Sequence, residues 1–314
     1  MSRILVTGGT GFIGSFLVEH LSKGGDEIVV FDNNFRGKAS NIANLKSVKL
    51  IEGDVRKRED VDKVMGGVDV VYHLAAINGT KYFYEMPEKV LEVNVKGLIN
   101  VLESAIEHGV EKFIFTSSSE VYNQPEHVPT TEKERIMIPD ITNPRFSYAG
   151  SKIIGELFCI NYGRKNKIKP IIVRYHNIYG PKMGHEHVIP EFIARMRKLS
   201  EKSKKIKFPI EGTGEETRAF CFVTDAVEAT IIAAENGEKN EIYNIGNNTT
   251  QTKIRDLAFM IAEILGIEIT IETGKAKAGG TAARCPDIEK IKKLGYMPKV
   301  GLKEGLKKTI EWYK

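Results

Sequence analysis

The sequence predicts an α/β protein, a doubly wound parallel sheet followed by a smaller α/β unit toward the C-terminus. Three observations carry that expectation. The chain opens on a short apolar run, a glycine-rich turn and a helix, between Arg3 and Leu21. Strand and helix signals then alternate through the first half, which implies a parallel sheet with helices on both faces. After Tyr179-Gly180-Pro181 the apolar runs shorten and the helices become more amphipathic.

Ile4 to Val6 is short and wholly apolar, as a strand buried on both faces must be. Gly8, Gly11 and Gly14 follow. Gly8 permits the tight turn, Gly11 lets a pyrophosphate approach the main chain, and Gly14 lets helix and strand pack closely. Ser15 to Leu21 has helical spacing, so phosphates would meet free N–H groups at the positive end of a helix. The next run, Glu27 to Phe31, ends on Asp32, 18 residues beyond Gly14. A carboxylate there accepts both hydroxyls of an adenosine ribose. The pattern predicts dinucleotide binding. Asp32 would repel a ribose phosphate and so favours NAD over NADP, although Arg36 stands close enough to blunt that preference.

Val48 to Ile51 is a third strand, closed by Gly53-Asp54-Val55, and Glu59 to Met65 a helix. Val68 to His73 is a strand running into Leu74-Ala75-Ala76, where small side chains suit a flat ligand across the sheet edge. Pro87 to His108 reads as one long helix, and Lys112 to Phe115 and Pro170 to Val173 as further strands. Thr224 to Ala234 (helix) and Glu241 to Ile245 (strand) resemble this first half more than their neighbours do. The chain is therefore expected to leave the nucleotide-binding part near Gly180 and return briefly. That assigns 1–179 plus about 223–247 to one domain, and 180–222 plus about 248–314 to a second that covers the cleft. Lys275 to Arg284 is expected to be a mobile loop, and Leu302 to Tyr313 an amphipathic surface helix.

Composition excludes several classes. No apolar run reaches the length of a membrane span, and the first strand begins almost at Met1, leaving no room for a signal peptide. Cys159, Cys221 and Cys285 are odd in number and far apart, which suggests reduced thiols in a cytoplasm. No metal is expected: neither these cysteines nor His185 and His187 stand at ligand spacing. A net charge of +5 is small for 314 residues, and the five lysines between Lys198 and Lys207 lack the interleaved aromatics of a nucleic-acid binder. They read as a solvated helix face or loop.

Two stretches carry chemistry. Thr116-Ser117-Ser118-Ser119-Glu120-Val121-Tyr122 follows a strand directly, at the carboxyl end where ligands bind in this architecture. In Tyr148-Ala149-Gly150-Ser151-Lys152 the phenol and the ammonium are four apart, on one helix face. A lysine and a nicotinium near a phenol favour the phenolate, which can then take a proton from a sugar hydroxyl.

Taken together the residues resemble the extended short-chain dehydrogenases/reductases, specifically the NAD-dependent nucleotide-sugar epimerases and dehydratases. The resemblance covers nearly the whole chain. It runs through TGGTGFIG (7–14), GDV (53–55), HLAA (73–76), NVKG (94–97), SSSEVY (117–122), YAGSK (148–152), VRYHNIYGP (173–181), TRAFCFVTDAVEA (217–229) and CPDIEKIKKLGYMP (285–298). It implies a Rossmann domain, tightly bound NAD and a nucleotide-sugar substrate. Ser118 would bond the reacting hydroxyl, Tyr148 act as base, and Lys152 tune it and hold the nicotinamide ribose. Gly8, Gly11, Phe12, Ile13, Gly14, Asp32, Asn33, Asp54, Val55, Leu74, Ala75 and Ala76 would complete the cofactor site. Asn177, Val188, Arg218 and Arg284 would hold the substrate. A homodimer is implied through the helices at 87–108 and 148–166, with Ile153, Ile154, Leu157 and Phe158 available.

Ser119–Glu120 departs from the plain 4-epimerases of this family, which usually have small or neutral residues there. 4,6-Dehydratases and nucleotide-glucuronate decarboxylases carry Ser–Glu, and a carboxylate can remove the proton beside a C4 ketone. The expected function is NAD-dependent oxidation at C4 of a UDP-, GDP- or dTDP-linked hexose or heptose in polysaccharide sugar biosynthesis. The 4-keto sugar is released or passed on, and 4-epimerisation, 4,6-dehydration and decarboxylation are the alternatives. A non-catalytic NAD(H)-binding regulator is the alternative from another class, and the intact Ser118, Tyr148 and Lys152 set argues against it. His185 and His187 could contact the sugar or merely cap the helix expected from Ile189 to Leu199.

Overall fold

The computed structural model describes residues 1–275 and 281–314. Seven strands form one sheet: β1 (Arg3–Thr7), β2 (Glu27–Asp32), β3 (Val48–Glu52), β4 (Val70–His73), β5 (Lys112–Ser118), β6 (Lys169–Tyr175) and β7 (Ile242–Ile245). Their order is β7-β6-β5-β4-β1-β2-β3, and every neighbouring pair is parallel. The order reverses between β1 and β4, the switch point at which this architecture opens a crevice.

Alternation along the strands feeds two cores. Ile4 and Val6 of β1 face one side with Leu17 and Val18 of α1 (Phe12–Leu21). Leu5 faces the other, with Val61 and Val64 of α2 (Arg58–Met65). Each fully buried Val, Leu, Ile or Phe contributes about 1.5–3 kcal/mol, so the doubled core is the main stabilising contribution. The expected helix at 87–108 is present but not uniform. α3 runs Pro87–Leu91, widens into a π turn at Glu92–Lys96, and continues as Gly97–Glu107. Val90, Asn94, Leu98 and Leu102 are all buried. Four-residue spacing drifts by about 40° per step around an ordinary helix, and the wide turn absorbs part of that drift.

α4 (Phe146–Lys165) and α5 (Val188–Leu199) follow the expected spacing, α6 (Val223–Asn236) delivers the chain back to β7, and α7 (Ile254–Leu265) and α8 (Leu302–Trp312) pack with α5 in the first core. Outside the large sheet the strands form small two- and three-stranded groups. Thr217–Ala219 pairs with Gln251–Lys253 and with Ala283–Arg284, and Lys205–Ile210 with Glu268–Thr273. Two expectations need correction. Residues Ala283–Arg284, assigned to a loop, form a strand; Gly279 and Gly280 of that stretch lie outside the described residues. Lys205 and Lys207, assigned to a helix face or loop, sit on a strand and pair with Glu268 at 2.9 Å and Glu272 at 3.0 Å. All three cysteines are free thiols and buried. Among the described residues no helix is long and apolar enough to cross a membrane.

Candidate active site

A cleft of about 850 Å³ opens along the carboxyl ends of β1, β2, β4, β5 and β6. Its floor is the glycine-rich turn. Gly8 has φ +73°, and a Cβ there would meet the Ala75 nitrogen at 2.7 Å; one on Gly14 would meet the Gly8 oxygen at 2.2 Å. α1 begins with no side-chain cap and no acidic residue in its first turn. The N–H groups of Phe12, Ile13 and Gly14 have no partner one turn back, and these residues line the cleft. At the end of β2, Asp32 accepts the Thr10 N–H at 3.0 Å and the Asn34 N–H at 2.8 Å, which fixes both carboxylate oxygens beside that turn. Asn33, Val55 and Leu74 to Ala76 continue the wall. An uncapped helix start, close backbone contacts and a fixed carboxylate fit a dinucleotide.

Two residues expected at this end are held by other side chains. The Asp54 carboxylate is gripped by the Arg56 side chain at 2.6–3.1 Å and is absent from the cleft lining. That hydrogen bonding, against a smaller effect of burial, holds its carboxyl below the ordinary range. Arg36 also turns away from Asp32, onto Glu186 at 3.1 Å.

β5 runs three residues further than its apolar core suggested and carries Ser117 and Ser118 to the cleft. Ser118 caps a short 3₁₀ turn, Ser119–Tyr122, by accepting the Glu120 N–H at 3.2 Å. Its hydroxyl stands near enough to the Tyr148 phenol to favour the ionised form of that phenol. Tyr148 lies in the first turn of α4 on its buried face, and its ring stacks on Phe83 with centroids 5.1 Å apart. One turn on, the Lys152 Nζ donates to the Thr116 carbonyl at 2.7 Å and lies 5.7 Å from the centre of the Tyr148 ring. Burial brings the Lys152 ammonium down to about 8. Burial also pushes the Tyr148 phenol above its ordinary value, with Ser118 opposing. The protein alone therefore does not supply the lowered phenol that the spacing suggested; that lowering needs an added positive charge at the site.

Glu120 reaches Arg284, 164 positions away, through both of its oxygens; the Nη2 contact is 3.0 Å. Burial acts to raise this carboxyl, but Arg284, with Arg145 and Arg218 further off, holds it below the ordinary range. Asn177 and Val188 line the cleft. Arg218 stands outside the lining, donates to the Thr217 carbonyl at 2.8 Å, and is lowered to about 10 by burial and by the charge of Arg284. His185 and His187 both line the cleft: His187 occupies the cap position of α5 without a side-chain bond, and His185 packs edge-on against Tyr313.

Sequence reasoning missed the supports. Glu156 accepts the Ser117 hydroxyl at 2.5 Å and two Arg174 nitrogens at 2.6 and 2.8 Å. Arg174 also donates to the Tyr122 hydroxyl, which donates to Asn244. Asn94, inside the π turn, bonds Ile77 of the cleft wall at 2.8 Å and Ser151 of α4 at 3.0 Å. A polar side chain on an otherwise apolar helix face was the signal available for Asn94. Glu156 and Phe83 offered none.

Comparison with known proteins assigns this site to a class. The sequence model of the NAD dependent epimerase/dehydratase family matches residues 4–246, and the chain belongs to that family. It is 33% identical to the UDP-N-acetyl-alpha-D-glucosaminuronate decarboxylase of Bacillus cytotoxicus, over 99% of this chain and 98% of the relative. Among solved structures, the UDP-glucose 4-epimerase of Thermotoga maritima with UDP-glucose superposes with TM-score 0.88 at 31% identity, covering 99% of this chain and 98% of that one. The dTDP-glucose 4,6-dehydratase of Streptomyces venezuelae, with NAD bound, gives TM-score 0.89 at 28% identity, covering 99% and 96%. The protein is an NAD-dependent enzyme of the nucleotide-sugar epimerase, dehydratase and decarboxylase group.

Proposed function

We propose that the protein oxidises a nucleotide-activated sugar at C4, giving a 4-keto sugar as intermediate or product. One observation carries this: Ser118, Tyr148 and Lys152 converge on one wall of a cleft whose floor fits a dinucleotide. Gly11 to Gly14 would hold the cofactor's phosphates, Asp32 a ribose, and Val55 and Leu74 to Ala76 the flat rings. When bound, NAD supplies the hydride acceptor and a positive ring. Ser118 orients the C4 hydroxyl, Tyr148 takes its proton at Oη, and Lys152 holds the cofactor's second ribose with donors not used on Thr116. Asn177, Val188 and Arg284, which line the cleft, hold the nucleotide diphosphate and sugar, and Arg218 adds positive charge from behind that lining. Residues 1–179 with about 223–247 serve the cofactor, and 180–222 with about 248–314 the substrate.

For the 4-keto species, the Glu120–Arg284 pair favours loss of carbon dioxide. A carboxylate held ionised by an arginine is a weak base, which suits proton removal for elimination poorly. Two carboxylates, Glu120 and Glu216, among Arg284, Arg218 and Arg145 leave this cluster net positive by one charge, which suits an acidic sugar. Cleavage of C5–C6 would leave its electrons on C5, conjugated with the ketone, until water delivers a proton there and leaves as hydroxide neutralised by solvent; Glu120, held ionised, has no proton to give.

The test is the mass of product from a panel of nucleotide sugars incubated with the protein and NAD. Loss of carbon dioxide from a nucleotide uronate supports the reading in full. Loss of water or of two hydrogens, or an unchanged mass with altered sugar NMR signals, retains C4 oxidation and discards the decarboxylation. No product from any sugar discards both. The assembly reading is a homodimer through α3 and α4, where Leu91, Ile154 and Leu157 are exposed and Ile153 and Phe158 half-buried. Light scattering should give twice the chain mass of 35.1 kDa; a monomer would refute it.

A further inference from the structure

Two segments far apart in sequence close over the nucleotide end of the cleft. Residues 36–41 lie on the glycine-rich turn: Lys38 N–H donates to the Thr10 carbonyl at 3.2 Å, and so does the Asn41 side chain at 2.9 Å. The fit is close enough that a Cβ on Gly37 would stand 2.7 Å from the Gly11 nitrogen. Residues 182–187, which lead into α5, form the facing wall. Two bonds join them. Lys182 Nζ donates to the Asn41 carbonyl at 3.1 Å, and Arg36 pairs with Glu186 at 3.1 Å. The ion pair is three-quarters shielded, with side-chain exposures of 21% and 23%. A third element supports it from the side. The Arg36 guanidinium lies over the Tyr82 ring at 5.0 Å, and the Tyr82 hydroxyl donates to Glu186 at 3.4 Å.

Neither member of the pair is needed to hold up a core, and both line the cleft between the glycine turn and the catalytic wall. We propose that Arg36 and Glu186, braced by Tyr82, form a latch that keeps the dinucleotide in its cleft, so that cofactor exchange requires this ion pair to part. The pair bridges two segments that line the same cleft as the start of α1. An ion pair within the protein that must part for passage slows entry and release alike, and the release rate reads it directly. Retention matters for chemistry that removes a hydride and gives it back, because the reduced cofactor must outlast the intermediate.

The inference rests on NAD lying in this cleft and not on any fate of the sugar. Its test therefore uses no substrate. Protein loaded with NADH is mixed with a large excess of NAD, and the loss of bound-NADH fluorescence gives the release rate. Glu186→Gln and Arg36→Met should each speed release about tenfold or more, and the double variant should be no faster than either single one. Restoring opposite charges in exchanged positions, Arg36→Glu with Glu186→Arg, should slow release again. Thermal melting of the cofactor-free proteins checks that the variants fold alike. Unchanged release in Glu186→Gln overturns the latch. So does faster release in Arg36→Met alone, which would make Arg36 a direct ligand of the cofactor instead.

Discussion

Tyr148→Phe and Ser118→Ala will each slow turnover by about 10²–10⁴-fold with the fold intact. The case is geometric first. The Tyr148 ring is buried and stacked on Phe83, so phenylalanine fills the same space and removes only the hydroxyl. Alanine at 118 removes the hydroxyl beside that phenol, keeps the residue's place in β5 and costs the 3₁₀ turn one cap. Neither change touches the glycine turn, so NAD binding should survive in both. The loss should fall mainly on kcat, since the proton transfer is made only on the way to the transition state. Steady-state kinetics on the substrate found by the mass screen, with NAD occupancy measured alongside, is the check. Rates within about threefold of wild type in either variant would remove these residues from the chemistry.

The largest effect on stability is expected from Arg174→Met. Arg174 and Glu156 are 3% and 4% exposed, and the pair is anchored at both ends by Tyr122 and Ser117. Removing the guanidinium leaves Glu156 buried with a serine hydroxyl as its remaining support. An uncompensated buried charge of that kind costs about 3–5 kcal/mol. Urea unfolding of the cofactor-free protein reads it directly. Glu156→Gln combined with Arg174→Met should recover part of the loss, because neither position then carries a charge. A cost below about 1 kcal/mol for Arg174→Met would mean that the pair behaves as a solvated one.

What could be read from sequence follows the range of each interaction. β1, β2 and β5 were legible because a strand buried on both faces must be apolar throughout. The glycine turn and Asp32 were legible because spacing within one strand–turn–helix unit is set by backbone geometry alone. The π turn was not: an i→i+5 turn has no composition of its own, and Glu92 to Lys96 reads like the helix around it. Asp54 illustrates a local competition that went unread, since Arg56 stands two residues on and takes its carboxylate. Glu120 was located correctly at the strand end, but its partner comes from a two-residue strand at Ala283–Arg284 that small residues disguised as loop. Arg36 was weighed only against Asp32, four positions away, while the group that holds it lies 150 positions on.

The route of the chain through the sheet has a consequence for how such an enzyme can change over generations. β1 to β6 come from residues 3–175, yet the sheet is completed only by β7 at 242–245, after the chain has built the Thr217–Ala219 strand and before it adds Ala283–Arg284. Residues proposed to face the sugar thus come both from between pieces of the sheet and from beyond its last strand. A single crossover between two related genes would exchange half of each wall and leave mismatched partners such as Glu120 and Arg284. Recombination is a poor route to a new substrate for this architecture. Point substitutions and loop-length changes along the cleft rim leave the sheet untouched, and they are the variation that this chain route permits.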